Sequence, residues 1–140
     1  MKTKLVLSII AITCWLSGSA LADSNTVTVK TLTKTSQSWD GTPLPSYPLG
    51  KPEITLLDIH IPAGTELPVH LHPVINAGVV LSGELHVTKQ SGEQLILKSG
   101  EPIVELVNQW HKGKAVGTED VRIIVFYAGE QGKDITVKKH

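Results

Sequence analysis

Residues 64–83, "GTELPVHLHPVINAGVVLSG", place two histidines one residue apart beside a proline, ahead of an apolar run that ends at a glycine. Side chains two positions apart on a strand point to the same face, so His70 and His72 can direct both rings at one point. Two imidazoles arranged in this way can chelate a metal ion, but a third ligand is needed. In an extended conformation the stretch could therefore carry part of a metal site.

The chain after residue 22 is divided into short segments by its 8 prolines and by all of its 12 glycines except Gly18. This spacing leaves no room for a long amphipathic helix. Residues 57–61 alternate apolar and polar side chains, and Ser91-Gly92 between two apolar runs is typical of a hairpin turn. The pattern predicts an all-β fold, either a sandwich or a small barrel. The predicted strands cover residues 26–32, 54–61, 77–81, 84–89, 94–98, 102–107, 121–127 and 135–137.

The other four histidines differ in their surroundings. His60 and His86 each lie between apolar neighbours that should take the core face, so both imidazoles are predicted to point outward. His140 is the last residue of the sequence. His111 follows the apolar run 103–107, in a segment that could return over the barrel interior. Of these four, His111 alone is a candidate for the interior.

Two spaced sets of residues resemble the motifs of the cupin superfamily. The first reads Gly64, five residues, His70, one residue, His72, three residues, Asn76, six residues and Gly83. The second reads Gly100, five residues, Leu106, one residue, Asn108, two residues and His111. The motifs and the strand after them span residues 64–129. The resemblance implies a cupin double-stranded β-helix, or jelly-roll barrel, of the small single-domain kind.

The resemblance also implies that His70, His72 and His111 bind a metal ion inside the barrel. Three neutral imidazoles suit divalent iron, manganese, zinc, copper or nickel better than calcium or magnesium, which prefer oxygen ligands. Asn76 stands where the family has a glutamate ligand, and its amide is a weaker ligand than a carboxylate. Glu105 could complete the ligand set if it points inward. The alternative is a glutamate that faces solvent or forms a salt bridge at the barrel rim.

Two functions stay open at this point. The resemblance implies a range of functions, because cupins include dioxygenases, oxalate-degrading enzymes, isomerases and binding proteins. The first hypothesis is a metal-dependent oxidoreductase, dioxygenase-like, acting on a small molecule, because a metal with open coordination positions can act as a Lewis acid or a redox centre. The alternative is a non-catalytic module that binds a metal or a small ligand, in which Asn76 marks a lost catalytic carboxylate. A weaker third reading is a metal-free barrel.

The predicted cavity wall is mainly apolar, so a small and fairly apolar ligand is expected. The same residues would also simply fill a small barrel. The residues predicted to point inward are Val79, Leu81, Leu85, Val87, Ile103, Ile124 and Phe126.

The first 22 residues have the features of a signal peptide. Lys2 and Lys4 precede the apolar run 5–16, and Ala20-Leu21-Ala22 has the form of a cleavage site. The run is too short to cross about 30 Å of hydrocarbon. We therefore expect an exported protein, periplasmic or secreted. The predicted segments are a signal peptide at 1–22, an N-terminal strand with a Pro/Gly-rich arm at 23–53, and the cupin barrel at 54–140.

Loss of Lys2 and Lys4 would leave 11 basic residues against 13 acidic ones, a formal charge of −2. This balance argues against nucleic acid or, after signal removal, a membrane as the main partner, because both require a basic face. Loss of Cys14 would exclude a disulfide and a thiolate metal site. The resemblance implies a homodimer, and the alternating run "NTVTVKTLTK" at 25–34 is a predicted strand without a partner in the barrel.

Overall fold

The computed structural model describes residues 26–139. The predicted signal peptide at 1–22 lies outside the described residues, as does His140. No helix forms between residues 26 and 139, and so none that could cross a membrane. Residues 26–30 belong to a separate unit and are exposed, whereas residues 31–139 belong to the unit that contains every described strand.

The strands of this unit have between two and ten residues and form two sheets. In chain order they are β1 Pro52–Ile61, β2 His70–Leu71, β3 Ile75–Ser82, β4 Glu84–Lys89, β5 Gln94–Lys98, β6 Pro102–Val104, β7 His111–Val116, β8 Val121–Glu130 and β9 Val137–Lys138. One sheet has the order β1-β8-β3-β6, and the other has the order β5-β4-β7-β2-β9. Neighbouring strands in both sheets are antiparallel. The prediction of an all-β fold is confirmed.

Strand β8 shows how the core between the sheets is built. Alternate residues from Val121 to Tyr127 are buried, with 0–5% of their surface exposed. Arg122 has the opposite parity, and its guanidinium donates hydrogen bonds of 2.9 and 2.6 Å to the carboxylate of Asp58 on the outer face. The period-two alternation of a half-buried strand therefore holds along β8.

Four residues predicted to point inward were assigned to the wrong face. Ile124 and Phe126 share the outward parity of Arg122, and Phe126 is 43% exposed. Val79 lies opposite Ile124, and Leu81 is also 43% exposed. Both faces of this sheet carry large apolar side chains, so hydrophobicity does not distinguish the inner face from the outer face. The charge at Arg122 does distinguish them, because it marks the outer face.

The remaining three inward predictions are correct. Leu85, Val87 and Ile103 are buried at 4%, 2% and 2% exposure and belong to the hydrophobic core. Burial of such side chains is the main source of stability in a barrel without a disulfide, at roughly 1.5–3 kcal/mol for each large apolar residue.

The strand predictions at 84–89 and 94–98 match β4 and β5, but others need correction. Residues 26–32 form no strand, and the predicted strand at 102–107 ends at Val104. The last predicted strand, 135–137, is shifted to β9. Strands β2 and β7 were missed, because β2 has two residues and β7 places only His111, Gly113 and Ala115 on its buried face, a pattern too weakly apolar to recognise.

Two residues with positive φ allow tight turns of the chain. Gly83 has a φ of 74° between β3 and β4, and a Cβ there would lie 2.7 Å from the carbonyl oxygen of Asp120. Asn108 has a φ of 55° in the segment that leads to His111. Asparagine tolerates this left-handed backbone better than most residues do.

The first part of the Pro/Gly-rich arm is attached to the barrel. The Trp39 amide donates to Val104 O at 2.9 Å, and the Ser38 hydroxyl donates to Glu105 O at 2.8 Å. Further along the arm, Tyr47 and Leu49 are exposed. The attached part therefore packs beside the segment that carries Glu105.

Candidate metal centre

Three histidines meet inside the barrel. His70 lies on β2 directly opposite His111 on β7, and His72 follows β2 by one residue. One ring nitrogen from each histidine lies within 4.8 Å of the other two. The ring centroids are 4.6 Å apart for His70 and His111, and 5.0 and 5.1 Å apart for the two pairs that include His72. These three rings could hold one metal ion.

Backbone carbonyls fix the orientation of each ring. Nδ1 of His70 donates to Pro68 O at 2.7 Å, and Nδ1 of His111 donates to Gln109 O at 2.8 Å. Nδ1 of His72 lies 2.9 Å from Ile135 O. A carbonyl oxygen can only accept, so the proton of each neutral imidazole is on Nδ1. Nε2 of each ring is then left with a free lone pair, which is the form that binds metal.

Burial keeps the three rings neutral. It lowers the pKa of His70 and of His111 below the ordinary value, and it lowers the pKa of His72 to about 4. Protons therefore compete little with a metal ion at neutral pH. Nε2 of His111 is buried and has no hydrogen-bond partner within residues 26–139.

Asn76 faces the same space from β3. The residue is 1% exposed, and its Oδ1 is buried without a hydrogen-bond partner in the described part of the chain. Its Nδ2 makes only a long contact of 3.4 Å with Val74 O. A buried carbonyl oxygen without a partner costs about 1–3 kcal/mol, so a ligand at this atom would relieve a real penalty.

Glu105 also points inward, next to the histidines. It is 9% exposed, and its Oε2 lies 3.6 Å from Nε2 of His111. Burial raises the pKa of Glu105 to about 7. The alternative of a glutamate that faces solvent is therefore wrong, whereas coordination of a metal by Glu105 or Asn76 remains a prediction.

The site opens into a cavity of about 300 Å³ between the two sheets. Its polar lining includes the three histidines, Asn76 and Glu105. The rest of the wall is mainly apolar, and it includes Leu57, Ile59, Ile61, Leu67, Leu85, Val87, Ile123 and Val125. A cavity of this size is at the small end of ligand-binding pockets.

Three polar residues of the cavity wall were not recognised in the sequence. Tyr127 is 3% exposed, lies opposite Asn76, and has its ring centroid 5.4 Å from that of His72. Arg122 on the outer face fixes the parity of β8 and could have identified Tyr127. Thr136 and Lys138 gave no comparable signal, because they belong to a short segment without alternation.

The attached arm supports the loop that orients His111. The Gln109 side chain donates to Thr42 at 3.2 Å and more weakly to Asp40 at 3.4 Å. Lys89 donates to Asp40 at 2.6 Å. Burial acts to raise the pKa of Asp40, but the hydrogen bonds from Lys89 and Thr42 outweigh it and lower the pKa to about 2. Asp40 is therefore ionised at every pH at which the protein would be studied.

The two histidines predicted to point outward do so. The His60 side chain is 62% exposed and pairs with Asp120 at 3.0 Å, and His86 lies 2.7 Å from Glu84. Neither belongs to the cluster of three.

The geometry defines a β-barrel with a three-histidine cluster inside, and the sequence comparison identifies its family. The cupin domain family matches residues 57–127, about half of the chain. The protein therefore belongs to the cupin family, as the two motifs predicted. No curated protein matches the chain.

Solved structures show the same fold. A cupin-like protein from Thermotoga maritima is 19% identical with a TM-score of 0.55, over 61% of this chain and 64% of that chain. A double-stranded β-helix protein from Klebsiella pneumoniae is 22% identical with a TM-score of 0.54, over 69% and 89% of the two chains. A DMSP lyase from Ruegeria pomeroyi is 19% identical with a TM-score of 0.54, over 71% of this chain but only 47% of the enzyme.

Proposed function

We propose that this cupin domain binds one divalent transition metal ion through Nε2 of His70, His72 and His111, with Asn76 or Glu105 completing the ligand set. The observation that carries the proposal is the set of three Nδ1 hydrogen bonds to backbone carbonyls, which leaves three lone pairs directed at a common space. Iron, manganese, zinc, copper and nickel fit these donors.

Metal analysis of the purified, untagged protein tests this proposal. We expect one bound ion per chain by mass spectrometry, and loss of that ion in His70→Ala. His60→Ala is the matched control, because it removes an imidazole from the outer face of the barrel. Equal metal content in His70→Ala and wild type would contradict the proposal, provided that circular dichroism shows both to be folded.

We propose further that the site is catalytic, as a metal-dependent oxidoreductase of the dioxygenase kind that acts on a small molecule. A bound ion would supply Lewis acid or redox chemistry at its open positions. The chain itself supplies Glu105, whose pKa burial raises to about 7 in the metal-free site, and Tyr127, whose pKa burial raises to about 12. Groups able to move or hold a proton beside a metal support catalysis.

The alternative is a binding module without turnover, and it is supported by the neutral amide at position 76. Loading with iron(II) and exposure to nitric oxide, which binds open iron positions in place of dioxygen, tests for the open coordination position that an oxygenase requires. An electron paramagnetic resonance signal of an iron–nitrosyl species supports the oxygenase proposal. Absence of that signal from protein shown to contain iron favours the binding module.

We also propose that the protein is exported and pairs with a second copy. Lys2, Lys4 and the apolar run that follows support export. Pairing is supported by the outer face of the four-stranded sheet, where Ile54, Leu56 and Phe126 are 58%, 65% and 43% exposed. Sedimentation should give a dimer for the wild type and a monomer for Leu56→Lys.

A further inference from the structure

The backbone register sorts the interior residues into layers. On one sheet His111 lies opposite His70, and on the other Asn76 lies opposite Tyr127. Two residues further along each strand, Gly113 lies opposite Val87 and Val125 lies opposite Leu57. The polar groups therefore occupy one layer of the cavity, and the next layer is apolar.

The layer beyond continues the apolar wall. Ala115 lies opposite Leu85, and Ile123 lies opposite Ile59. Gly113 lets two apolar side chains of this wall pack closely on β7, since a Cβ there would lie 3.3 Å from Leu67 and 3.4 Å from Leu85. A ligand whose head lies among the polar groups would thus extend its body along apolar side chains.

Lys138 is exposed on β9 but lines the cavity, and it brings a positive charge beside the polar layer. Lys138 on β9 is directly opposite His70, so the two side chains share one face of the sheet. Lys138 is the single lysine or arginine among the described residues that line the cavity. Burial is the main cause of the lowered pKa of His70, and the nearby Lys138 ammonium adds to the effect.

We infer that the cavity takes a small monocarboxylate with an apolar body, whose carboxylate lies in the polar layer within reach of Lys138. The inference rests on the proposed metal function. A divalent ion held by three neutral imidazoles and the neutral Asn76 keeps positive charge even when Glu105 is ionised, and an anionic head compensates it. A second carboxylate on the body would be buried among apolar side chains without a partner, at a large cost.

Calorimetric titration with hexanoate tests the inference on the zinc-loaded protein. Hexanamide is the neutral probe of the same length, and adipate carries a second carboxylate. We expect hexanoate to bind at least tenfold more tightly than either. Butanoate should bind more weakly than hexanoate by about fourfold for each CH₂ removed, because the body lies in the apolar layers.

Lys138→Gln should weaken hexanoate binding about fivefold and leave hexanamide binding unchanged. Lys139→Gln is the matched control, since Lys139 is the neighbouring lysine and lies 5.8 Å from the ring centroid of Trp110. Equal affinity for hexanoate and hexanamide, or an unchanged hexanoate affinity in Lys138→Gln, would overturn the inference.

The zinc content of the same samples separates this inference from the metal proposal. Protein that binds zinc stoichiometrically but does not prefer hexanoate retains the metal function and excludes the monocarboxylate. Protein that binds no zinc contradicts the metal function, and hexanoate is then titrated into that metal-free protein. A preference for hexanoate that depends on Lys138 would still support the ligand class, and its absence would exclude it.

Discussion

The two sheets of the barrel face the same cavity but contribute different chemistry to it. The five-stranded sheet and its flanking residues provide the three imidazoles, held by the direct pairing of His70 with His111. The four-stranded sheet provides the oxygen atoms of Asn76 and Tyr127, and the segment that follows β6 provides those of Glu105. The imidazole side can bind a soft or borderline metal ion, and the oxygen side can carry negative charge and exchange protons beside that ion.

The difference shows how a cupin barrel that binds a metal ion could keep its imidazole ligands while its chemistry changes. The imidazole side depends on backbone register and on three carbonyl hydrogen bonds, so a substitution there removes the site. The oxygen side depends on single side chains. The backbone that carries them is held independently, since the Glu105 amide donates to Asn76 O at 3.1 Å whatever side chains these residues carry. Substitutions on the two sides should therefore have different consequences.

The largest effect is expected on the imidazole side. His111→Gln should lower metal affinity at least 100-fold, because a neutral amide replaces a nitrogen ligand that nothing nearby can supply. The affinity is measured by competition with a chromophoric chelator. His86→Gln, on the outer face of the same sheet, should change it less than twofold. If His111→Gln binds the metal as tightly as the wild type does, the imidazole side contributes no more to metal affinity than the oxygen side.

On the oxygen side, Glu105→Gln should alter the pH dependence of the metal-free protein. The pKa of Glu105 is about 7 in the folded state, against an ordinary value of 4.5. The folded state therefore binds more protons between these values, and the free energy of unfolding decreases as the pH rises through that range.

Urea unfolding in the presence of a chelator measures this effect. From pH 5 to pH 8, the wild type should lose about 2 kcal/mol relative to Glu105→Gln. The Glu105 charge raises the pKa of His70, but burial is the larger cause of that pKa, so most of the histidine contribution cancels in the difference. Parallel stability curves for the two proteins would indicate that the Glu105 carboxyl is not buried in solution.

A smaller effect is expected at Asn76. Asn76→Asp restores a carboxylate of the same size, and it should raise metal affinity about tenfold while destabilising the metal-free protein, which must bury the new charge. Asn76→Ala is the control without a ligand atom. Affinity unchanged in Asn76→Asp would place residue 76 outside the coordination shell.

The imidazole side was largely predictable from the sequence, and the oxygen side was not. The spacing of His70, His72 and His111 within two motifs identified the cluster before any fold was known. The face of Glu105 could not be decided, because the segment around it leaves regular strand structure at Val104. Tyr127 was missed because β8 is apolar on both faces.

The fold itself followed from proline, glycine and the motif spacing. The failures were the exposed run at 26–32, which alternates as a strand does but pairs with no strand among residues 26–139, and the strands β2 and β7, which carry His70 and His111. A two-residue strand such as β2 is defined by the strands that pair with it, β7 and β9, and the local sequence does not indicate those partners.

The brevity of β2 has a consequence for how the protein behaves without metal. This strand contributes only His70 and Leu71, and it is paired with β7 through one residue. A metal ion bound by both His70 and His111 would link β2 to β7 more firmly than the single residue pair does. Ordering of the cavity wall and uptake of the ion would then be one coupled event, visible as slower amide hydrogen exchange around His70 once metal is added.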